Sequence, residues 1–432
     1  MNLLVTNTQA PQAYAIIRAL RPHAAKIVAT VEEGRATSRL APAANSRLVD
    51  RTRRVPAPVA DWHAGRVGAG NTPREDAFIK AVDRICEDER IDVIFPSWDP
   101  YVYVLSKNRE LFARRGIAIP VPGFDTVLTA LDKYRTVLAG REAGCACPAT
   151  YLYDPALPMD DVIAELGFPI VVKPRFTSGG HGMAVVPDRA ALMAALPGIA
   201  AAHGPPMLQE YIPGGRRDSI QFVVGRDGAL LFVFHKKRSR TLRRTARFGT
   251  VSESAAPDDR LEALTRLIRH VGWWGAMGVE TILDPRDGRH KLMEINPRFP
   301  RQLWNRTELG VNEPLMCVTL ARGEKVVPIE GYPAGVLFVN PVEDVQLLAL
   351  QLVDALAYRV RTRVLGRAPL DVLTAPPPLG ELLGAFRRTY SRGRRRLWDP
   401  HVRYFLQDPV PAVLWWLQFS TWLAGGWRQV GR

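Results

Sequence analysis

The chain has 432 residues, 47% hydrophobic and 23% charged, with 58 lysines and arginines against 43 acidic side chains, a formal net charge of +15. That length and apolar content imply two to four domains and exclude a chain disordered by composition. Four cysteines, Cys86, Cys145, Cys147 and Cys317, are too few for a disulfide framework, and Cys145 and Cys147 have no second Cys/His pair at zinc spacing. The positive balance favours anionic partners: nucleotides, phosphorylated substrates, lipid or nucleic acid. No nucleic-acid-binding module is recognisable, so no specific nucleic acid is expected.

The N-terminus runs through Met1-Asn2-Leu3-Leu4-Val5-Thr6 directly into a strand-like segment, without a basic stretch and apolar core. A cytoplasmic, reduced protein is therefore expected. Leu3–Thr6 reads as a buried strand, Pro11–Leu20 as a helix and Lys26–Thr30 as a second strand. Pro73–Glu87 places Ala77, Phe78, Ala81, Val82 and Ile85 on one helical stripe, and Ile91–Phe95 and Ile117–Ile119 read as strands. Strands alternating with helices predict a parallel, doubly wound sheet. Such sheets bind ligands at their carboxyl ends, which places Pro96-Ser97-Trp98-Asp99 at a site. Gly68-Ala69-Gly70 lacks a preceding strand and a third glycine, and reads as a surface loop.

A helix near residue 126 carries Asp132-Lys133, and Phe168–Pro174 is a strong β-run. The glycine-rich turn Ser178-Gly179-Gly180-His181-Gly182 then leads to a returning strand, Met183–Val186. Met207–Ile212 is the next strand, and Ile220–Val224 with Ala229–Phe234 form a hairpin around Asp227-Gly228. Asp258–Val271 is an amphipathic helix. Gly278–Leu283 and His290–Ile295 form a last hairpin around Asp284-Pro285-Arg286-Asp287-Gly288.

That hairpin carries the strongest chemical signal. Alternation puts Glu294 and Asn296 on one face, and pairing through the turn can bring Glu280 beside them. Two carboxylates and an amide oxygen suit a hard cation such as magnesium, which shares its oxygen ligands with phosphates. Lys173 ends an apolar β-run, where an ammonium is costly without an anion. With Lys133 and Arg298 it could neutralise a triphosphate tail. Small residues at Ser178–Gly182 let backbone N–H groups approach phosphate. Backbone at Gln209-Glu210-Tyr211-Ile212 could meet an adenine edge, and Asp218 ribose hydroxyls. His181 and His235 read as polar groups near the site or as loop and structural histidines.

In order and spacing, Asp132-Lys133, Val172-Lys173-Pro174, the Gly180 loop, Gln209-Glu210-Tyr211, Glu280 and Glu294-Ile295-Asn296-Pro297-Arg298 resemble the ATP-grasp superfamily. The similarity is to its carbamoyl-phosphate synthetase large-chain-like branch of carboxylate–amine ligases, over about residues 1–325. It implies mixed α/β and α+β architecture. A Rossmann-like pre-ATP-grasp domain (1–125) would precede a two-lobed ATP-grasp unit, with a small lobe (126–205) and a large lobe carrying the metal (206–330). A helical basic extension (331–432) would follow.

The resemblance further implies ATP with Mg2+ or Mn2+. Lys133 and Lys173 would contact phosphates, with the loop of Ser178, Gly179, Gly180 and Gly182 closing over them. Glu210, Tyr211 and Ile212 would hold adenine and Asp218 the ribose. Glu280, Glu294 and Asn296 would bind the metal, and Arg298, with Lys173, would act on the transferring phosphate. Substrates would be a small-molecule carboxylate and a nucleophile. A kinase-like phosphotransferase and a non-catalytic, membrane-associated nucleotide-binding protein are the alternatives. Asp218 stands where the family more usually has glutamate. The stretch His235–Arg247 is unusually basic (Lys236, Lys237, Arg238, Arg240, Arg243, Arg244, Arg247) and reads either as a clamp for an anionic substrate or as a solvated loop.

Beyond residue 331 the family pattern fades. Gly331–Pro341 is expected to hold a strand and Val342–Val364 a helix, with a break at Ala375-Pro376-Pro377-Pro378-Leu379. The arginines from Arg387 to Arg396 and the tryptophans Trp415, Trp416, Trp422 and Trp427 fit two readings. One is a peripheral anchor over residues 387–427 on the cytoplasmic membrane face; the other is a helix docked on the protein or on another subunit. The oligomeric state is left open.

Overall fold

The computed structural model describes residues 1–34, 40–58, 62, 64–65, 67–178, 180–214, 216–241, 249–360, 362, 378–391 and 393–430. The chain forms two compact units: Met1–His235 with Ala256–Tyr332, and Lys236–Ala255 with Pro333–Arg432.

The first unit opens on a parallel sheet of β1 (Asn2–Val5), β2 (Lys26–Glu32), β3 (Arg51–Val55) and β4 (Val93–Phe95), in the order β3-β2-β1-β4. Leu3, Leu4, Val5, Ile27, Val28, Val93 and Ile94 are fully buried, as expected where helices cover both faces of a parallel sheet. Helix α1 (Pro11–Leu20) follows β1 with proline in its first turn. Helix α2 (Pro73–Glu89) begins in a capping box: Glu75 N–H donates to Thr72 Oγ1, and the Glu75 carboxylate accepts from Thr72 N–H. Helix α3 (Asp99–Lys107) starts directly beyond the carboxyl end of β4. The segment Ile117–Ile119 contributes a single parallel bridge, Val93 to Ala118.

The helix expected near residue 126 is two helices, α4 (Phe124–Leu131) and α5 (Lys133–Glu142). Asp132 separates them because its carboxylate accepts from Tyr134 and Arg135 N–H and restarts the helix as an N-cap. A second sheet, β5 (Thr150–Leu152), β6 (Ile170–Lys173), β7 (Ala184–Val186) and β8 (Met207–Glu210), is antiparallel in the order β5-β8-β6-β7. Its Ile170, Val172, Val186 and Leu208 form a small core with Val162, Leu166, Leu192 and Leu196.

The third sheet of this unit sets β9 (Arg216–Val224) between β12 (Gly275–Leu283) and the first half of β10 (Leu230–Thr241), with β13 (His290–Asn296) on the far side of β12. One face of β9 and β12, through Ile220, Phe222, Met277 and Val279, shares a core with Leu264, Leu267 and Ile268 of the helix Arg260–His270. The opposite face carries the chemistry.

In the second unit β11 (Gly249–Ala255) pairs antiparallel with β14 (Leu337–Val339), which pairs parallel with β15 (Arg396–Trp398). Its long helices are α6 (Pro341–Arg359), α7 (Leu379–Tyr390) and α8 (Pro409–Val430). Of the expected break at 375–379, residues 375–377 lie outside the described residues, and α7 begins at Leu379.

Candidate active site

Cross-strand register assembles one polar face. Glu280 pairs with Glu294 on one side and Ser219 on the other, and Gly278 pairs with Asn296 and Gln221. Directly paired residues share a face. Glu280, Glu294, Asn296, Ser219 and Gln221 therefore stand together, with Arg217 one step along β9. A β-bulge between Glu280 and Thr281 makes this possible. Thr281 pairs with Leu292 and Glu280 with Glu294, leaving Met293 as the extra residue. Leu292 then turns inward, 1% exposed, into space left by Gly140, where an added Cβ would sit 2.4 Å from its Cδ2. Glu294 turns to the open face, with 32% of its side chain exposed.

Cations surround that carboxylate. Lys133, placed by the Asp132 cap at the start of α5, brings Nζ to 3.7 Å from Glu294 Oε2 and also donates to the Thr177 carbonyl. Arg175 occupies Asp132 itself, so Asp132 leaves Lys133 available to Glu294. Burial pushes the Glu294 pKa up, but the charges of Lys133, Lys173, Arg217 and Arg298 outweigh it and the net shift is downward. Lys173, 7% exposed at the end of β6, experiences the converse. Burial, then repulsion from Lys133, brings its ammonium from 10.5 to about 7, with Glu294 pulling the other way.

Arg298 is oriented from the start of α3: its Nε lies 2.6 Å from Asp99 Oδ1 and a terminal nitrogen 3.1 Å from Oδ2. Burial works against its charge, and Asp99, then Glu294 and Glu280, more than restore it. The loop joining β6 to β7 holds Ser178, Gly180 and Gly182; Gly179 lies outside the described residues. Gly182 has φ +70°, and a Cβ there would meet His203 Nε2 at 2.6 Å and Pro174 Cγ at 2.9 Å. His181 is exposed on this loop.

One expectation needs correction. Asp218, expected at a ribose, is fully buried on the opposite face, because its partner in register is Thr281 rather than Glu280. It lies 3.9 Å from Arg260 and 4.0 Å from His290. His235 takes the structural of its two readings: it is fully buried, Arg260 approaches its Nε2 at 2.6 Å, and its Nδ1 lies 3.0 Å from the Ala256 carbonyl. The Glu210 carboxylate accepts from Ala149 N–H (3.0 Å), Lys291 (2.8 Å) and Arg286 (2.7 Å). Only its main chain remains for a base, beside half-buried Tyr211 and buried Ile212.

Of the basic stretch after His235, Arg243, Arg244 and Arg247 lie outside the described residues, as do the side chains of Arg238 and Arg240. Sequence reasoning passed over Arg217, Ser219 and Gln221. Ser219 Oγ and Gln221 Oε1 are buried and make no hydrogen bond among the described residues. The register against Glu280 was the signal that could have found them.

Residues 130–301 match the family model of the ATP-grasp domain, so this segment of the chain belongs to the ATP-grasp family. The carbamoyl phosphate synthase large chain of Mycobacterium tuberculosis is 26% identical over 195 residues, covering 43% of this chain and 18% of that one. The D-alanine–D-alanine ligase of Dechloromonas aromatica is 38% identical over 94 residues, covering 21% of this chain and 31% of that one. This chain thus spans about a fifth of the length of that synthase. Among solved structures, a Campylobacter jejuni biotin carboxylase superposes with TM-score 0.60 at 18% identity, over 78% of this chain and 74% of that one. That last likeness is one of fold. It extends well beyond residues 130–301.

Proposed function

We propose that this protein is an ATP-dependent ligase that activates a small-molecule carboxylate as an acyl phosphate, which an amine or similar nucleophile then attacks. One observation carries the reading: Glu294, with Glu280 and Asn296 on the same face, is ringed by Lys133, Lys173, Arg217 and Arg298. A face so rich in cations fits a polyphosphate. Its two carboxylates and amide oxygen, all hard oxygen donors, fit magnesium. Glu280, Glu294 and Asn296 would hold that ion, which would supply charge neutralisation for the phosphates.

The chain's own residues then supply position and charge. The substrate carboxylate oxygen attacks the γ-phosphorus and the bond to the β-phosphate oxygen breaks, giving acyl phosphate and ADP. Lys173 and Arg298 stabilise the charge on the transferring group, and the Asp99 tether fixes the direction of the Arg298 fork. The amine next attacks the acyl carbon, loses a proton and expels phosphate. No side-chain nucleophile is needed, because the barrier falls through positioning and electrostatics.

The test is ADP release from magnesium-ATP with pooled carboxylates and amines, using Glu294→Ala as the blank. Turnover that requires an acid and an amine together supports a ligase. Turnover with the acid alone would make it a phosphotransferase, and none in any pool would count against the reading.

A further inference from the structure

The second unit arranges charge and apolar surface unlike the first. Residues 236–255 and 333–432 hold 20 basic and 8 acidic side chains, +12 of the chain's +15. Half of its acids are withdrawn: Glu343, Asp344, Asp399 and Asp408 are buried, and Asp344 accepts from Thr250 (2.7 Å) and Tyr390 (3.1 Å). Arg387, Arg388, Arg394, Arg395 and Arg403 are exposed.

Helix α6 mixes polar and apolar on both faces. It buries Glu343, Asp344 and Gln351 beside Leu347 and Ala355, whereas Val345, Val353 and Leu356 are 54%, 45% and 62% exposed. On α8, Val410, Val413 and Leu417 repeat the pattern at helical spacing, 46%, 42% and 58% exposed. Two bonds set the helices side by side. Trp415 Nε1 donates to Glu343 Oε1 (2.6 Å), and near the exposed rows Gln346 Nε2 donates to Ser420 Oγ (2.8 Å). Ser420 continues the α8 row one turn beyond Leu417, and Gln346 adjoins Val345, so the two rows flank one surface. Leu406, 92% exposed, precedes α8.

Helices facing water turn polar side chains outward, and exposed apolar area of this kind marks a partner surface. A second copy would set +12 against +12. An anionic bilayer offers acyl chains to the valine and leucine rows and headgroups to the arginines. We propose that helices α6, α7 and α8 dock on an anionic lipid surface, lying on it rather than crossing it. No described helix is long and apolar enough to cross.

The test is co-sedimentation of the full chain with vesicles, either phosphatidylcholine alone or three parts phosphatidylcholine to one part phosphatidylglycerol. Binding is expected on the anionic vesicles at low salt, weakening about tenfold or more on the neutral ones or at about 0.5 M salt. The exposed-site variant Leu356→Ser with Leu417→Ser is expected to keep the parent melting temperature and lose about tenfold in binding. Arg387→Glu with Arg403→Glu tests the headgroup contact independently and should lose as much. No binding to the anionic vesicles at low salt, equal binding to both kinds, or unchanged binding by both folded variants would overturn the proposal. So would a vesicle-free dimer that the leucine variant splits, which assigns the surface to a second copy.

Discussion

Asp99 and Arg298 stand 199 residues apart in sequence and meet fork to fork, at 2.6 and 3.1 Å, so the first residue of α3 aims the guanidinium that follows the Glu280/Glu294 hairpin. A bidentate pair fixes direction as well as charge. Asp99→Asn keeps the shape but loses half of the fork and its charge. It should lower kcat about 10- to 100-fold while changing the KM for ATP less than about threefold. Steady-state kinetics on the ligase reaction check this; an unchanged kcat would remove Arg298 from phosphate transfer.

Lys173 gives a pH dependence whose sign follows from its environment. Its ammonium is brought down to about 7 from 10.5, mainly by burial and then by Lys133. The unfolded chain therefore binds more protons between those values, and this group's contribution to stability improves as pH rises from about 7. Polyphosphate binding restores the charge, so ATP should bind with proton uptake above pH 7, weakening toward tenfold per pH unit. Titration calorimetry in buffers of different ionisation heat reads this directly. Lys173→Arg, which stays charged, should flatten the slope.

Gly182 combines positive φ with contacts that leave no room for a methyl group. Gly182→Ala should cost about 1–3 kcal/mol in stability and weaken ATP binding, since the loop must shift away from His203 and Pro174. Thermal melts and ATP titrations measure the two effects separately.

Asp218 and Glu280 stand on adjacent strands but opposite faces, and equivalent changes should separate them. Asp218→Asn is expected to lower the melting temperature, because Arg260 and His290 lose a buried charge, while the KM for ATP stays within about twofold. Glu280→Gln is expected to leave stability within about 1 kcal/mol and to raise the magnesium requirement at least about tenfold. A raised KM for ATP in Asp218→Asn would restore the ribose role.

Periodicity exposed most of the scaffold. Pro11–Leu20 falls where its apolar residues and proline place it, and the Glu280, Glu294 and Asn296 set could be found from alternation and one hairpin. The strand Arg51–Val55 could not: it is a charged edge strand with mostly exposed side chains, without an apolar signal. Arg217 could not be told from Asp218 as the neighbour of the Glu280 face, because that depends on register, and register is a pairing between strands. Asp99 reaching Arg298 is likewise a long-range contact that no local window contains. The partition of arginines and exposed valines into one unit emerges only when helix faces are known.

The bulge at Met293 changes how this hairpin answers to small edits. A strand counts in twos, and the extra residue switches the count once between Leu292 and Glu294. Shortening the strand by that one residue would return it to regular alternation and send either the leucine or the glutamate to the wrong side. A single-codon deletion there would strike core and catalysis together, although the residue removed has no chemical part in either.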